Sequence, residues 1–168
     1  MKKSFTFLFT MLLFAASTLA QVTATANVQA TIIAPITIAK TIDMNFGNAF
    51  VTAALGTIVL TPANARSATG GVGFLTSQPG VITAASFTVT GYANATYAIT
   101  LPATATTVVE SGGNTMSVDT WTTPSATGLL SGTGSQTFNV GATLHVAGLQ
   151  AVGVYNQVTP FNVTVNYN

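Results

Sequence analysis

The stretch 22-VTATANVQATIIAPITI-38 decides the fold. Its even positions, Val22, Ala24, Ala26, Val28, Ala30, Ile32, Ala34, Ile36 and Ile38, are all apolar. Its odd positions are mostly polar: Thr23, Thr25, Asn27, Gln29, Thr31 and Thr37, with Ile33 and Pro35 as exceptions. A period of two is the mark of a strand with one packed face. Seventeen residues at about 3.3 Å each would span about 55 Å, longer than a small domain is wide. Pro35 cannot donate to a ladder and belongs at an edge or a break. The stretch therefore divides into 22–33 and 36–46. Period-two patterning does not name the owner of the groove that the first part fills. One reading keeps both parts in the chain's own sandwich, crossing between sheets near Pro35. The other adds residues 22–33 as a strand to the next subunit. In that reading Val22, Ala24, Ala26, Val28, Ala30 and Ile32 are the candidate strand-exchange residues, with Val22, Val28 and Ile32 plugging pockets.

The same alternation continues along the chain. "IDMNFGN" alternates through Ile42, Met44 and Phe46, and "GTIVLTP" is a short apolar run stopped by Pro62. "PANARSATGG" reads as a loop and "SQPG" as a turn. "SFTVTG" and "TYAITLP" alternate through Phe87 and Val89, then Tyr97, Ile99 and Leu101. "TTVVESGGNTMSVDTW" reads as a hairpin bent at "SGGN". "TFNVGATLHV" sets Phe138, Val140, Ala142, Leu144 and Val146 against Thr137, Asn139, Gly141, Thr143 and His145. "FNVTVNY" does the same through Phe161, Val163, Val165 and Tyr167. No stretch has a helical period, and Thr, Val, Gly and Asn are poor helix formers. Many short strands between turns predict an all-β, antiparallel sandwich. A transmembrane barrel would also alternate, but its strands need roughly 9–11 residues each and flanking aromatic girdles. Several of these segments are shorter, and the aromatics are sparse.

Residues 1–20 have the three parts of a signal peptide. Lys2 and Lys3 are followed by the apolar run Phe5–Ala16, and "STLA" supplies small residues before a cleavage expected after Ala20. Export places the mature chain, 21–168, at the cell surface or outside the cell, with a periplasmic passage. That chain is read as one domain. It keeps Lys40 and Arg66 against Asp43, Glu110 and Asp119, one net negative charge. Such a surface offers no basic face for nucleic acid or anionic lipid. Near-zero charge also removes the repulsion that keeps copies apart. With no cysteine there is no disulfide, no thiolate zinc site and no lipidated N-terminal Cys.

Few residues suggest chemistry. His145 is the only histidine. It falls on the polar phase of a strand with Thr143 and Asn139, which reads as a solvated position rather than a Ser–His–Asp member. The three acids are scattered, so neither a metal site nor a catalytic site is expected, and no cofactor. Trp121 is out of phase with Met116 and Val118. With Asp119 beside it, it is the candidate ligand contact for a glycan. The alternative is a core or rim filler displaced by a bulge. "GGVG" and "GTGS" lead into no helix and are turns rather than phosphate cradles.

The opening "ATANVQATIIAPITIAKTIDMNFG" and the ending "FNVGATLHVAGLQAVGVYNQVTPFNVTVNYN" together resemble a group of small secreted bacterial domains, domain-of-unknown-function family four-four-zero-two. The ending carries a G-x-Y at Gly153–Tyr155 ahead of the F-x-V-x-V-x-Y strand. The overall plan is similar to pilins of the chaperone–usher type, Ig-like sandwiches completed by a neighbour's N-terminal strand. That likeness implies a fimbrial, non-catalytic structural subunit of a surface filament or matrix. It also implies self-association or pairing with other pilin-like subunits, and a periplasmic chaperone in transit. An adhesin-like surface or glycan-binding module is the alternative.

Overall fold

The computed structural model describes residues 21–168. Residues 1–20, the segment expected to be a signal peptide, lie outside the described residues. Eleven strands form among those residues, with no helix: β1 Thr37–Ile42, β2 Phe50–Leu60, β3 Arg66–Gly73, β4 Ala85–Thr90, β5 Thr96–Thr100, β6 Thr106–Val109, β7 Thr115–Thr122, β8 Thr127–Leu129, β9 Ser135–Val146, β10 Asn156–Gln157 and β11 Thr164–Tyr167. All pairings are antiparallel. The larger sheet runs β1-β4-β9-β7-β6-β10, with β3-β2 joined to β9; the smaller runs β11-β5-β8. The sheets have open ends and do not close into a barrel. Ile33–Asn168 form one compact unit.

β9 organises the core. Its expected inward set, Phe138, Val140, Ala142, Leu144 and Val146, is buried throughout. Its first half, Ser135–Val140, pairs with β4, and its second half pairs with β2 and β7. Two apolar clusters follow from that division. Phe87, Val89, Tyr97, Leu130, Phe138, Val140 and Val165 pack between the β4–β9 half and the smaller sheet. Ile58, Val72, Val118, Leu144 and Val146 pack under the β2–β9–β7 half. Met44 and Trp121 pack against both. Outward positions pair as hydroxyls: Thr37 with Thr90 at 2.7 Å, Thr57 with Thr69 at 2.7 Å and Thr88 with Thr137 at 2.9 Å. Cross-strand threonine pairs of this kind stabilise a sheet's wet face without charge.

The hairpin expected over 106–121 is present as β6 and β7. Glu110 closes its bend. The buried carboxylate accepts from the Gly112 N–H at 2.6 Å, the Asn114 N–H at 3.1 Å and the Asn114 side-chain amide, and more weakly from Ser111. These donors favour the anion and hold its pKa down at about 2.

Three expectations need correction. "PANARSATGG" is not all loop: the turn ends at Ala65, and Arg66–Gly73 is β3, paired with β2. Its glycines allow the two backbones to approach closely. A Cβ at Gly71 would lie 2.1 Å from the Ala54 carbonyl oxygen, and Gly70 has φ +65°. Arg66 starts this strand and reaches back across the sandwich end. Its guanidinium donates to the carbonyls of Phe46 (2.6 Å), Asn48 (2.9 Å) and Pro79 (3.0 Å) and lies 3.9 Å over the Phe74 ring. Burial lowers its pKa from the ordinary arginine value. The segment expected over 36–46 is also interrupted. A register shift between Lys40 and Ile42 turns Ile42 outward, and beyond it only Asn45 pairs, as a bridge to Thr83. Finally, the alternation over 22–33 forms no strand within this chain: residues 21–35 are without strand structure.

Candidate functional site

The six candidate strand-exchange residues are exposed. Val22, Val28 and Ile32 present 92, 96 and 94 % of their surface, and Ala24, Ala26 and Ala30 are exposed beside them. Scattered exposed apolar residues are ordinary, but a run of them in one phase of an extended segment is not. Burying a Val or Ile side chain of this kind is worth about 1.5–3 kcal/mol, so the segment carries latent binding energy.

The candidate ligand contact is arranged differently. Trp121 lies in a bulge: β7 pairs Asp119 with Thr143 and then Thr122 with Gly141, so Thr120 and Trp121 stand opposite the single residue Ala142. Thr120 takes φ +51° there, a left-handed conformation that a β-branched residue adopts at a cost. The bulge turns the indole inward. Trp121 is half-buried, its ring 4.4 Å from that of Phe161, and its N–H donates to the Thr104 carbonyl at 3.3 Å.

Asp119 stays on the opposite face, where its Oδ1 lies 2.8 Å from His145 Nε2. Ser117 and Thr57 stand directly across from His145 on the neighbouring strands. The sole imidazole is thus on the wet face of β9, as its phase requires, but its partner is Asp119 rather than the in-phase Thr143 or Asn139. The imidazole bond and that of the Thr120 hydroxyl (2.9 Å) hold the Asp119 carboxyl below the usual aspartate range. Both side chains are solvent-exposed, 46 and 37 %. No hydroxyl is bonded to the imidazole among the described residues. Chemically this is a surface hydrogen-bonded pair in high dielectric, worth about 0–1 kcal/mol. No group of three or more His, Asp or Glu side chains placed to hold a metal is found among the described residues.

Sequence reasoning missed the two polar anchors, Glu110 and Arg66. A signal existed: they are two of the five charged side chains among residues 21–168, and a charge retained in so neutral a sequence has a specific partner.

A family model, Domain of unknown function (DUF4402), matches residues 36–167. The chain belongs to this family. The DUF4402 match begins one residue before β1 and ends with the last residue of β11, so it takes in both sheets and both core clusters. Residues 21–35 precede it. Within DUF4402 here, the G-x-Y at Gly153–Tyr155 braces the loop after β9. The Tyr155 hydroxyl donates to the Ala151 carbonyl at 2.7 Å and accepts from the Gln150 amide at 2.8 Å. A Cβ at Gly153 would lie 3.3 Å from that of Glu110, so the loop lies against the hairpin bend. No curated protein and no solved structure matches this sequence.

Proposed function

We propose that this protein is an exported, non-catalytic structural subunit that assembles into a bacterial surface filament or extracellular matrix through its N-terminal segment. One observation carries the reading: residues 22–32 repeat apolar side chains in strand phase, yet these side chains are exposed and without strand pairing. A strand needs a neighbouring backbone and an apolar groove, and a second subunit supplies both. The near absence of charge supports the same reading, because it leaves copies free to approach.

The test uses the mature chain, 21–168, purified and run unheated on a denaturing gel. The expected result is a ladder of oligomers that collapses on boiling, and its loss in the Val28→Asp/Ile32→Asp double variant. A wild-type chain that stays monomeric at all concentrations would refute assembly.

A further inference from the structure

The first half of β9 has a neighbour on one side only. β4 pairs with Ser135–Val140, whereas β7 stops at Thr122, opposite Gly141. Backbone groups alternate sides along an antiparallel strand. Ser135 fixes the phase: its N–H donates to Ser131 Oγ and its carbonyl accepts from Ser131 N–H, both away from β4. Thr137 and Asn139 therefore aim their N–H and C=O groups the same way. Among the described residues no strand receives them. On the facing sheet β8 is likewise paired on one side, with β5.

Between these two open edges lies a groove of about 320 Å³, lined by Tyr97, Ile99, Pro124, Thr127, Phe138 and Asn139. Its floor is the first core cluster. One end is tied by Gln136, whose Oε1 accepts from the Tyr97 hydroxyl at 2.9 Å and from the Leu129 N–H at 2.8 Å. The opposite margin of the same pair of sheets is closed. There β1 meets β11, and the Tyr167 hydroxyl accepts from the Tyr92 N–H at 2.6 Å and donates to the Ala34 carbonyl at 2.9 Å.

We propose that this groove receives residues 22–33 of a second copy of the chain, added as a strand beside Thr137 and Asn139. The proposal rests on the assembly reading above and names the acceptor that reading requires. The groove supplies the two things the segment lacks: a free ladder edge and an apolar floor. Even positions of the added strand, Val28, Ala30 and Ile32 among them, face Tyr97, Ile99 and Phe138. Odd positions, Asn27, Gln29 and Thr31, face water with Thr137. The five residues Ser135–Asn139 span about 17 Å and the twelve-residue segment about 40 Å, so the segment fills the edge and leaves a connection to its own subunit. The donor is assigned to another copy because in their own chain residues 22–32 are exposed and pair with no strand, although only β4 lies between β1 and β9. Tyr167 holds Ala34 at the β1 margin.

The decisive variant is Thr137→Pro. It deletes an N–H that points into the groove and leaves the β4 ladder bonds of Phe138 and Gln136 in place, a position where an edge strand tolerates proline. The donor variant is Val28→Asp/Ile32→Asp. Each full mature chain is checked for its β spectrum by circular dichroism and then for oligomers. The expectation is that both variants are folded and monomeric alone. Mixed, they give a dimer and nothing larger, since one supplies an intact donor and the other an intact groove. Amide exchange supplies a readout independent of the proline: the Thr137 and Asn139 amides are protected in wild-type oligomers and exchange at least tenfold faster in the donor variant. Thr137→Pro oligomers like those of wild type, or unchanged exchange at Thr137 and Asn139, overturn the groove while leaving N-terminal assembly intact. Oligomers of Val28→Asp/Ile32→Asp, or a monomeric wild type, overturn both.

Discussion

Trp121→Ala separates a packing role for the indole from a ligand-binding one. The indole joins both apolar clusters and stacks on Phe161 at 4.4 Å. Truncating a fully buried aromatic to alanine costs about 3–5 kcal/mol; a half-buried ring loses about half of that, near 2 kcal/mol. Loss of the aromatic pair adds about 1 kcal/mol. The N–H bond to Thr104 adds little, because at 3.3 Å it is long and the carbonyl it leaves is accessible to water. The expected loss is about 3 kcal/mol. With a urea slope of about 2 kcal/mol/M, the midpoint falls by about 1.5 M. Trp121→Phe keeps the stack and loses about 1 kcal/mol. The assay is urea unfolding followed by far-ultraviolet circular dichroism, since this is the only tryptophan and its fluorescence leaves with it. A Trp121→Ala midpoint within about 0.3 M of wild type would refute the packing argument. It would return the ring to the exposed role that glycan binding requires.

Four further outcomes follow from the polar and strained positions. Glu110→Gln destabilises the protein at neutral pH, and the wild-type advantage is lost on acidification. The folded-state pKa lies below the unfolded one, so the stabilisation is complete above about 4.5 and disappears as pH falls towards about 2; melting temperatures of both proteins from pH 7 to pH 2 test the convergence. Arg66→Lys lowers stability by about 2 kcal/mol in urea unfolding, because an ammonium cannot reproduce the planar fork on three carbonyls or the stack on Phe74. Thr120→Gly changes stability by no more than about 1 kcal/mol and in the stabilising direction, relief of the left-handed residue outweighing glycine's entropy; a clear loss of stability would show that Thr120 is not strained. His145→Gln shifts the urea midpoint by less than about 0.5 M, as an exposed pair should.

What the sequence disclosed follows from which physical signal each element carries. β9 was legible from Thr137 to Val146, though not at Ser135 and Gln136, because one face is packed along that length and alternation and burial coincide. The β6–β7 hairpin was legible because "SGGN" marks the bend, although the carboxylate that closes it was not. β3 was hidden because only Ala68 and Val72 pack inward and Gly70, Gly71 and Gly73 fill much of its second half: a strand whose packing comes from close backbone approach carries little hydrophobic contrast. β8 and β10, at three and two residues, are too short to have a period. The Asp119–His145 pair spans 26 residues and depends on the β7–β9 register, which no local pattern encodes. Trp121's phase slip was visible, and the bulge at Thr120 supplies its cause.

The distribution of the few charges bears on which edge is open to the proposed strand addition. Exposed strand edges invite pairing, and proteins guard them with lysine, bulges or short strands. β1, the outermost strand beside β4, has all three: six residues, a bulge, and Lys40 paired with Asp43. β11 is four residues long, with its Tyr167 hydroxyl bonded on both sides. The open flank of β9 has none of these guards. It is regular, belongs to a twelve-residue strand, and is lined by Thr137 and Asn139 rather than by any charge. With five charged side chains among residues 21–168, guarding one edge and leaving another bare has a physical consequence: strand addition is opposed at β1 and unopposed at β9. Moving the guard tests this directly. Asn139→Lys, which keeps the backbone donor but puts beside the groove a charge that strand addition would have to desolvate, should reduce the yield of oligomers, whereas the neutral Asn139→Gln should not.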